Sequence, residues 1–78
     1  MAEEITNEDR IAMAEAYRVY QMLDFYEQAK VPSDFVSFIE ANADLGMVVP
    51  FETPEEALNA NLSEKGRYLV MYMCTFDD

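Results

Sequence analysis

The sequence predicts a small α+β domain in which three helices pack on a two-stranded sheet. A stretch without glycine or proline, from Asn7 to Lys30, carries apolar residues at helical spacing. Residues 53–56, Thr-Pro-Glu-Glu, combine a capping threonine, a proline at the first helical position and an early glutamate. Residues 67–76 contain no glycine or proline and are rich in aromatic and β-compatible side chains. We therefore expect helices at about 7–30, 34–43 and 54–65 and strands at about 47–51 and 67–76.

The first two helices follow from their caps and their apolar spacing. Thr6 precedes the first helix as a capping residue. The expected core stripe of this helix comprises Ala12, Ala16, Val19, Leu23 and Tyr26. The helix should end before Pro32, because the residue before a proline is pushed out of the helical conformation. Ser33 then caps a second helix, which should end before Gly46.

The predicted sheet is small and incomplete. Residues 47–51 include Pro50, which cannot donate to a β-ladder and therefore suits an edge strand. The third helix should stop at Gly66, and the strand after it is apolar on both faces. A βαβ crossover would make the two strands parallel, whereas a connection that loops back would make them antiparallel. Since two strands alone are marginal, the first helix should pack across one face of the sheet.

Size and charge limit the possible functions. A chain of 78 residues suffices for one compact domain, here residues 1–78, with residues 1–5 and 77–78 expected to fray. Sixteen acidic and five basic side chains, with no histidine, give a net charge of −11. This charge repels nucleic acid and anionic lipid, and it attracts the basic surface of another protein. We expect no direct binding to nucleic acid or to a membrane.

The residues that most catalytic mechanisms need are missing from the sequence. Histidine, the commonest general base and metal ligand, is absent. Gly46 and Gly66 stand alone, so no glycine-rich loop can hold phosphate. Cys74 has no basic neighbour and is expected to be a buried, inert thiol. Pairs of acidic residues lie at the termini or in first helical turns, where the helix dipole accounts for them. We predict no enzyme activity, no cofactor and no metal site.

A second apolar stripe on the first helix is the candidate protein interface. Met13, Tyr17 and Tyr20 recur at helical spacing away from the core stripe, and aromatic residues and methionine are enriched at contact surfaces. Asp24 and Glu27, together with Glu15, supply an acidic edge to this stripe. The predicted interface residues are therefore Met13, Tyr17, Tyr20, Asp24 and Glu27. In the alternative interpretation, the tyrosines flank a small core and keep their hydroxyl groups in water.

The function expected from these features is that of an acidic protein-binding module. Such a module would act as an inhibitor or adaptor that covers a basic surface of its partner. Its size and charge suggest an analogy with small acidic proteins encoded by phages and mobile elements. A first alternative is a nucleic-acid mimic that competes for a DNA- or RNA-binding protein. A second is a structural subunit that associates with itself, for example as a homodimer. Enzyme activity is the class of function that the sequence favours least.

The expected compartment is the cytoplasm. A single cysteine cannot form an internal disulfide, which favours a reducing environment. The sequence begins with acidic residues where a secretory signal would be basic, and no apolar run approaches the roughly 20 residues of a membrane span.

Overall fold

The computed structural model describes residues 5–74 and is all-helical over that range. The α+β prediction is therefore wrong, because no strand or sheet occurs in the part of the chain that is described. The helices are α1 (Asn7–Met22), α2 (Phe25–Lys30), α3 (Ser33–Asn42), α4 (Pro54–Asn59) and α5 (Glu64–Cys74). Residues 1–4 and 77–78 of the termini expected to fray, the last two residues of the predicted second strand and the side chain of Cys74 lie outside the described residues. Ile5, the remaining residue of that expectation, is described and packs against the core.

The predicted second strand is replaced by helix α5. Ser63 precedes this helix, and its hydroxyl accepts a hydrogen bond from the N–H of Gly66 at 3.0 Å. Gly66 therefore lies in the first turn of a helix and does not end one. Val70 and Met73 are buried, which is helical spacing, whereas Tyr68 and Tyr72 are exposed although a strand would place them on the face of Val70. Burial of residues at helical spacing against the core therefore outweighs the β propensity of this segment.

The predicted long helix at residues 7–30 is divided at Leu23 and Asp24. Leu23 has ψ of 152° and Asp24 has ψ of 175°, so both adopt an extended conformation. The Asp24 carboxylate accepts a hydrogen bond from the N–H of Glu27 at 2.9 Å and caps α2. A side chain that bonds its own backbone in this way competes with helix continuation.

The segment between α3 and α4 forms no strand at residues 47–51. Phe51 is buried and Val49 packs against the core, whereas Val48 is exposed. The side chains of Val49 and Phe51 thus attach this segment to the helical core, and no β-ladder is formed. The third predicted helix, at residues 54–65, is likewise shorter than expected, since α4 ends at Asn59 and α5 starts at Glu64.

Helix α1 is the central element of the fold. It packs against α5 and α3, and less extensively against α4. The N–H of Asp44, just after α3, donates to the carbonyl oxygen of Arg10 at 3.2 Å, so α3 runs antiparallel to α1. The start of α3 therefore lies at the end of the molecule where α1 ends and α2 follows. The core comprises Met13, Ala16, Val19, Val31, Ile39, Phe51, Ala57, Leu62, Val70 and Met73.

None of the helices between residues 5 and 74 has both the length and the hydropathy that crossing a bilayer requires.

The Cα radius of gyration is 11.8 Å, close to the roughly 11.5 Å expected for a folded chain of this length.

Candidate protein-interaction surface

The predicted interface residues on α1 are packed within the chain. Met13 is 8% exposed and belongs to the core. Tyr17 and Tyr20 are half-buried against that core, and their rings stack with centroids 6.1 Å apart. Met13 therefore has little surface to offer a partner, and the two tyrosines offer only part of theirs.

Helix α3 explains this burial. Burial, together with the negative charge of the neighbouring Glu40 on α3, raises the pKa of Tyr17 above its ordinary value. Tyr20 lines an open groove of about 440 Å³ that also includes Val31 and Val36. The second apolar stripe of α1 is thus the surface on which α3 lies.

Asp24 and Glu27 remain at the surface at the start of the short helix α2. Asp24 is exposed and caps this helix, and Glu27 is partly exposed in its first turn. The two acidic side chains flank Phe25 and Tyr26, which lie between them in sequence. We refer to these four residues, 24–27, as the α2 surface.

Phe25 and Tyr26 are the most exposed aromatic side chains in the described part of the chain. They are 80% and 79% exposed, and their rings meet edge to face with centroids 6.2 Å apart. Helix α2 has no buried residue at all. The prediction that Tyr26 lies on the core stripe of a continuous helix is wrong, because the break at Asp24 separates it from the register of α1. The capping pattern of Asp24 and Glu27 was the signal for that break.

A second exposed aromatic surface lies on α5. Tyr68 is 67% exposed and stacks on Tyr72, with centroids 6.3 Å apart and an interplanar angle of 14°. Tyr72 meets Phe35 of α3 edge to face at 5.6 Å, and Met71 is exposed beside the tyrosines. Glu64 is exposed one turn before Tyr68. We call Glu64, Tyr68, Met71 and Tyr72 the α5 stripe. The predicted strand at 67–76 puts Met71 on the opposite face from Tyr68 and Tyr72, and Glu64 falls in the predicted third helix. The sequence therefore did not predict that these four residues share one face.

Glu15 does not belong to the acidic edge predicted for the interface. Its side chain is only 5% exposed and lies at the start of α5, where its Oε1 accepts a hydrogen bond from the Ser63 hydroxyl at 3.1 Å. Burial raises the pKa of Glu15, and the hydrogen bonds from Ser63 offset part of this effect. The missing side chain of Gly66 leaves room for the carboxylate. This group therefore fixes α5 on α1.

Several basic side chains are held by acceptors of the same chain. Lys65 Nζ lies 2.8 Å from Asp9 Oδ1, and this hydrogen bond holds the pKa of Asp9 below its usual range. Arg67 donates to two carbonyl oxygens at the end of α4, at 2.9 and 3.0 Å. Arg18 donates to the carbonyl oxygen of Leu45 at 2.9 Å. Among the described residues, every acidic side chain except Glu15 is at least partly exposed to solvent.

The described residues contain no cluster of three carboxylate or thiol side chains that could hold a metal ion. No protein-family model, curated protein or solved structure matches this chain significantly. The arguments for function therefore come from its surface alone.

Proposed function

We propose that this chain is an acidic protein-binding module that covers a basic surface of a partner protein through its α2 surface, and that it acts by binding without chemistry of its own. The observation that carries the proposal is the exposure of Phe25 and Tyr26 on a helix that buries none of its residues. The core gains nothing from these two rings. Aromatic side chains are the usual anchors of protein interfaces, since they bury a large area at a low cost in side-chain entropy.

Charge determines the chemistry of the partner. Asp24 and Glu27 flank the aromatic pair in sequence, and the hydrogen bond from the Glu27 N–H to the Asp24 carboxylate keeps them adjacent at the start of α2, in a protein with a net charge of −11. Apolar anchors beside carboxylates suit a partner that places lysine or arginine next to an apolar pocket. The same charge accelerates the encounter with a basic protein and opposes the approach of nucleic acid or anionic lipid. We place the module in the cytoplasm, because its single cysteine cannot form an internal disulfide.

The proposal is tested by affinity capture from a lysate of the native host, with captured proteins identified and quantified by mass spectrometry. The baits are the wild-type chain, the double variant Phe25→Ser/Tyr26→Ser, and Val48→Ser as a matched control. Val48 is 91% exposed but lies far along the chain, between α3 and α4. Each capture is repeated at low and moderate salt, because screening weakens contacts between exposed charges.

We expect the wild-type chain and Val48→Ser to retain the same basic protein, with less recovered at the higher salt concentration. The double variant should lose that protein while its circular dichroism spectrum stays unchanged. Equal recovery by the double variant would show that the α2 surface is not the contact. Recovery of the chain alone would favour self-association instead.

A further inference from the structure

The α5 stripe is a second surface that the core does not require. Tyr68 and Met71 point away from α1, whereas Val70 and Met73 on the same helix are buried. The rings of Tyr68 and Tyr72 lie nearly parallel, at an angle of 14°, and Phe35 supports Tyr72 from α3. A helix that only had to cover α1 would carry polar side chains at these positions.

The charges beside the stripe favour a cation. Glu64 lies one helical turn before Tyr68, so its carboxylate and the Tyr68 ring are neighbours on the same face. The two basic side chains of α5 are already engaged. Lys65 pairs with Asp9, and the guanidinium of Arg67 is turned toward the carbonyl oxygens that end α4. An incoming cation thus meets a carboxylate and aromatic faces first.

We propose that the α5 stripe binds an arginine side chain of a basic protein segment, with the guanidinium on the Tyr68 ring and its N–H groups on the Glu64 carboxylate. A planar guanidinium stacks on an aromatic face and donates two parallel hydrogen bonds to a carboxylate. A lysine ammonium is compact and strongly hydrated, and it has neither a planar face that stacks on the ring nor a rigid fork that matches both carboxylate oxygens. The stripe is therefore selective for arginine over lysine, whereas net charge alone treats the two alike.

This inference takes the basic character of the partner from the proposed function, but it concerns a different surface. Its test uses the purified chain and two synthetic peptides of equal length and charge, one with arginine and the other with lysine, each alternating with glycine. Affinities are measured by calorimetry for the wild-type chain, Tyr68→Leu, Tyr68→Phe and Phe25→Ser/Tyr26→Ser. Because Tyr68 is largely exposed, its replacement should leave the fold intact, which circular dichroism checks.

We expect the wild-type chain to bind the arginine peptide about two- to five-fold more tightly than the lysine peptide, the range given by an exposed contact between a cation and an aromatic face. Tyr68→Leu should bring the two affinities to within error of each other, and Tyr68→Phe should keep the preference. Phe25→Ser/Tyr26→Ser should also keep it, so that the α2 surface and the α5 stripe succeed or fail separately.

Equal affinities of the wild-type chain for both peptides would overturn the inference. So would a preference for arginine that survives in Tyr68→Leu, since it would then arise elsewhere on the acidic surface. Sedimentation of the wild-type chain and Tyr68→Leu supplies a third check. A concentration-dependent mass that is lost in Tyr68→Leu would show that a second copy of the chain covers the stripe.

Discussion

Replacing Gly66 by alanine should destabilise the protein, although alanine is the better helix former. Gly66 lies in the first turn of α5, where the Glu15 carboxylate occupies the space beside its Cα. A Cβ at this position would overlap Glu15 Oε1 and would lie 2.8 Å from Glu15 Cδ and 2.9 Å from Ser63 Oγ. The close atoms belong to the ends of two side chains, so the carboxylate has to move aside, and this movement strains or breaks its hydrogen bond with the Ser63 hydroxyl.

The magnitude follows from three contributions. Loss of a hydrogen bond to a charged group costs about 1.5–3 kcal/mol, and overpacking typically costs about 1–3 kcal/mol. The cost of the lost hydrogen bond is smaller if the displaced carboxylate reaches water. The gain in helix propensity offsets about 0.5–1 kcal/mol. We therefore expect a net loss of about 2 kcal/mol in the free energy of unfolding, or on the order of 10 °C in Tm for a domain of this size.

The assay is urea unfolding of four proteins, followed by circular dichroism. These are the wild-type chain, Gly66→Ala, Glu15→Ala and the double variant Glu15→Ala/Gly66→Ala. Removing the carboxylate should make room for the new methyl group, so the double-mutant cycle should show a coupling of about 2 kcal/mol. Gly46→Ala is the matched control, because its φ is not positive and the nearest atom to an added Cβ is Asp44 Oδ1 at 3.8 Å.

The control should change the free energy of unfolding by less than about 0.5 kcal/mol. If Gly66→Ala is as stable as Gly46→Ala, or more stable than the wild-type chain, the Glu15 carboxylate does not lie over Gly66. Additivity of the two single substitutions would refute the same contact.

Three further substitutions test the other parts of the account. Glu15→Gln keeps an acceptor for Ser63 but does not titrate. Burial raises the pKa of Glu15 in the folded protein, so folding favours the protonated form of this side chain. The wild-type chain should therefore lose stability relative to this variant as pH rises from about 4.5 through the raised pKa. Urea unfolding midpoints measured at several pH values will show this loss. Thr53→Ala removes the hydroxyl that accepts the N–H of Glu56 at 3.1 Å and should cost about 1 kcal/mol, while an unchanged unfolding midpoint would contradict the cap. Phe25→Ser/Tyr26→Ser should change the free energy of unfolding by less than about 1 kcal/mol in the same experiment, and a larger loss would show that the rings serve the core.

The starts of α1 and α4 were the part of the fold that local sequence described well. The Thr6 hydroxyl accepts the N–H of Asp9, and the Asp9 carboxylate accepts the N–H of Thr6, both at 3.2 Å, as a capping box requires. The second predicted helix is present as α3, but the prediction that Ser33 caps it is wrong, because Pro32 is at the N-cap, Ser33 is the first helical residue and no side chain caps the helix. Thr53 caps α4 as its pattern indicated. Caps are recognisable because donor and acceptor lie within three residues of each other.

The strand prediction failed because propensity was weighed above packing period. The tyrosines of α5 favour a strand on average, but Val70 and Met73 are buried at helical spacing against α1. Gly66 was interpreted as a helix stop, whereas its N–H donates to the Ser63 hydroxyl in the first turn of α5. Only the contact with Glu15, 51 positions earlier in the chain, explains that glycine.

The candidate site was predicted only in part for a related reason. Asp24 and Glu27 stay at the surface, but Met13, Tyr17 and Tyr20 are packed in the fold. Whether an apolar stripe meets a partner or another helix of the same chain depends on long-range contacts that spacing does not encode. The break at Asp24 also changed which aromatic residues are exposed.

The most direct test of the central claim is the dissociation constant between this chain and its captured partner, measured by calorimetry for the wild-type chain and Phe25→Ser/Tyr26→Ser. Aromatic anchors at the centre of an interface contribute about 2 kcal/mol or more each. Loss of one such anchor weakens binding about thirtyfold, so the double variant should bind at least about thirtyfold more weakly. Val48→Ser should bind as the wild-type chain does. A dissociation constant for the double variant within about twofold of the wild-type value would contradict the claim that the α2 surface is the contact.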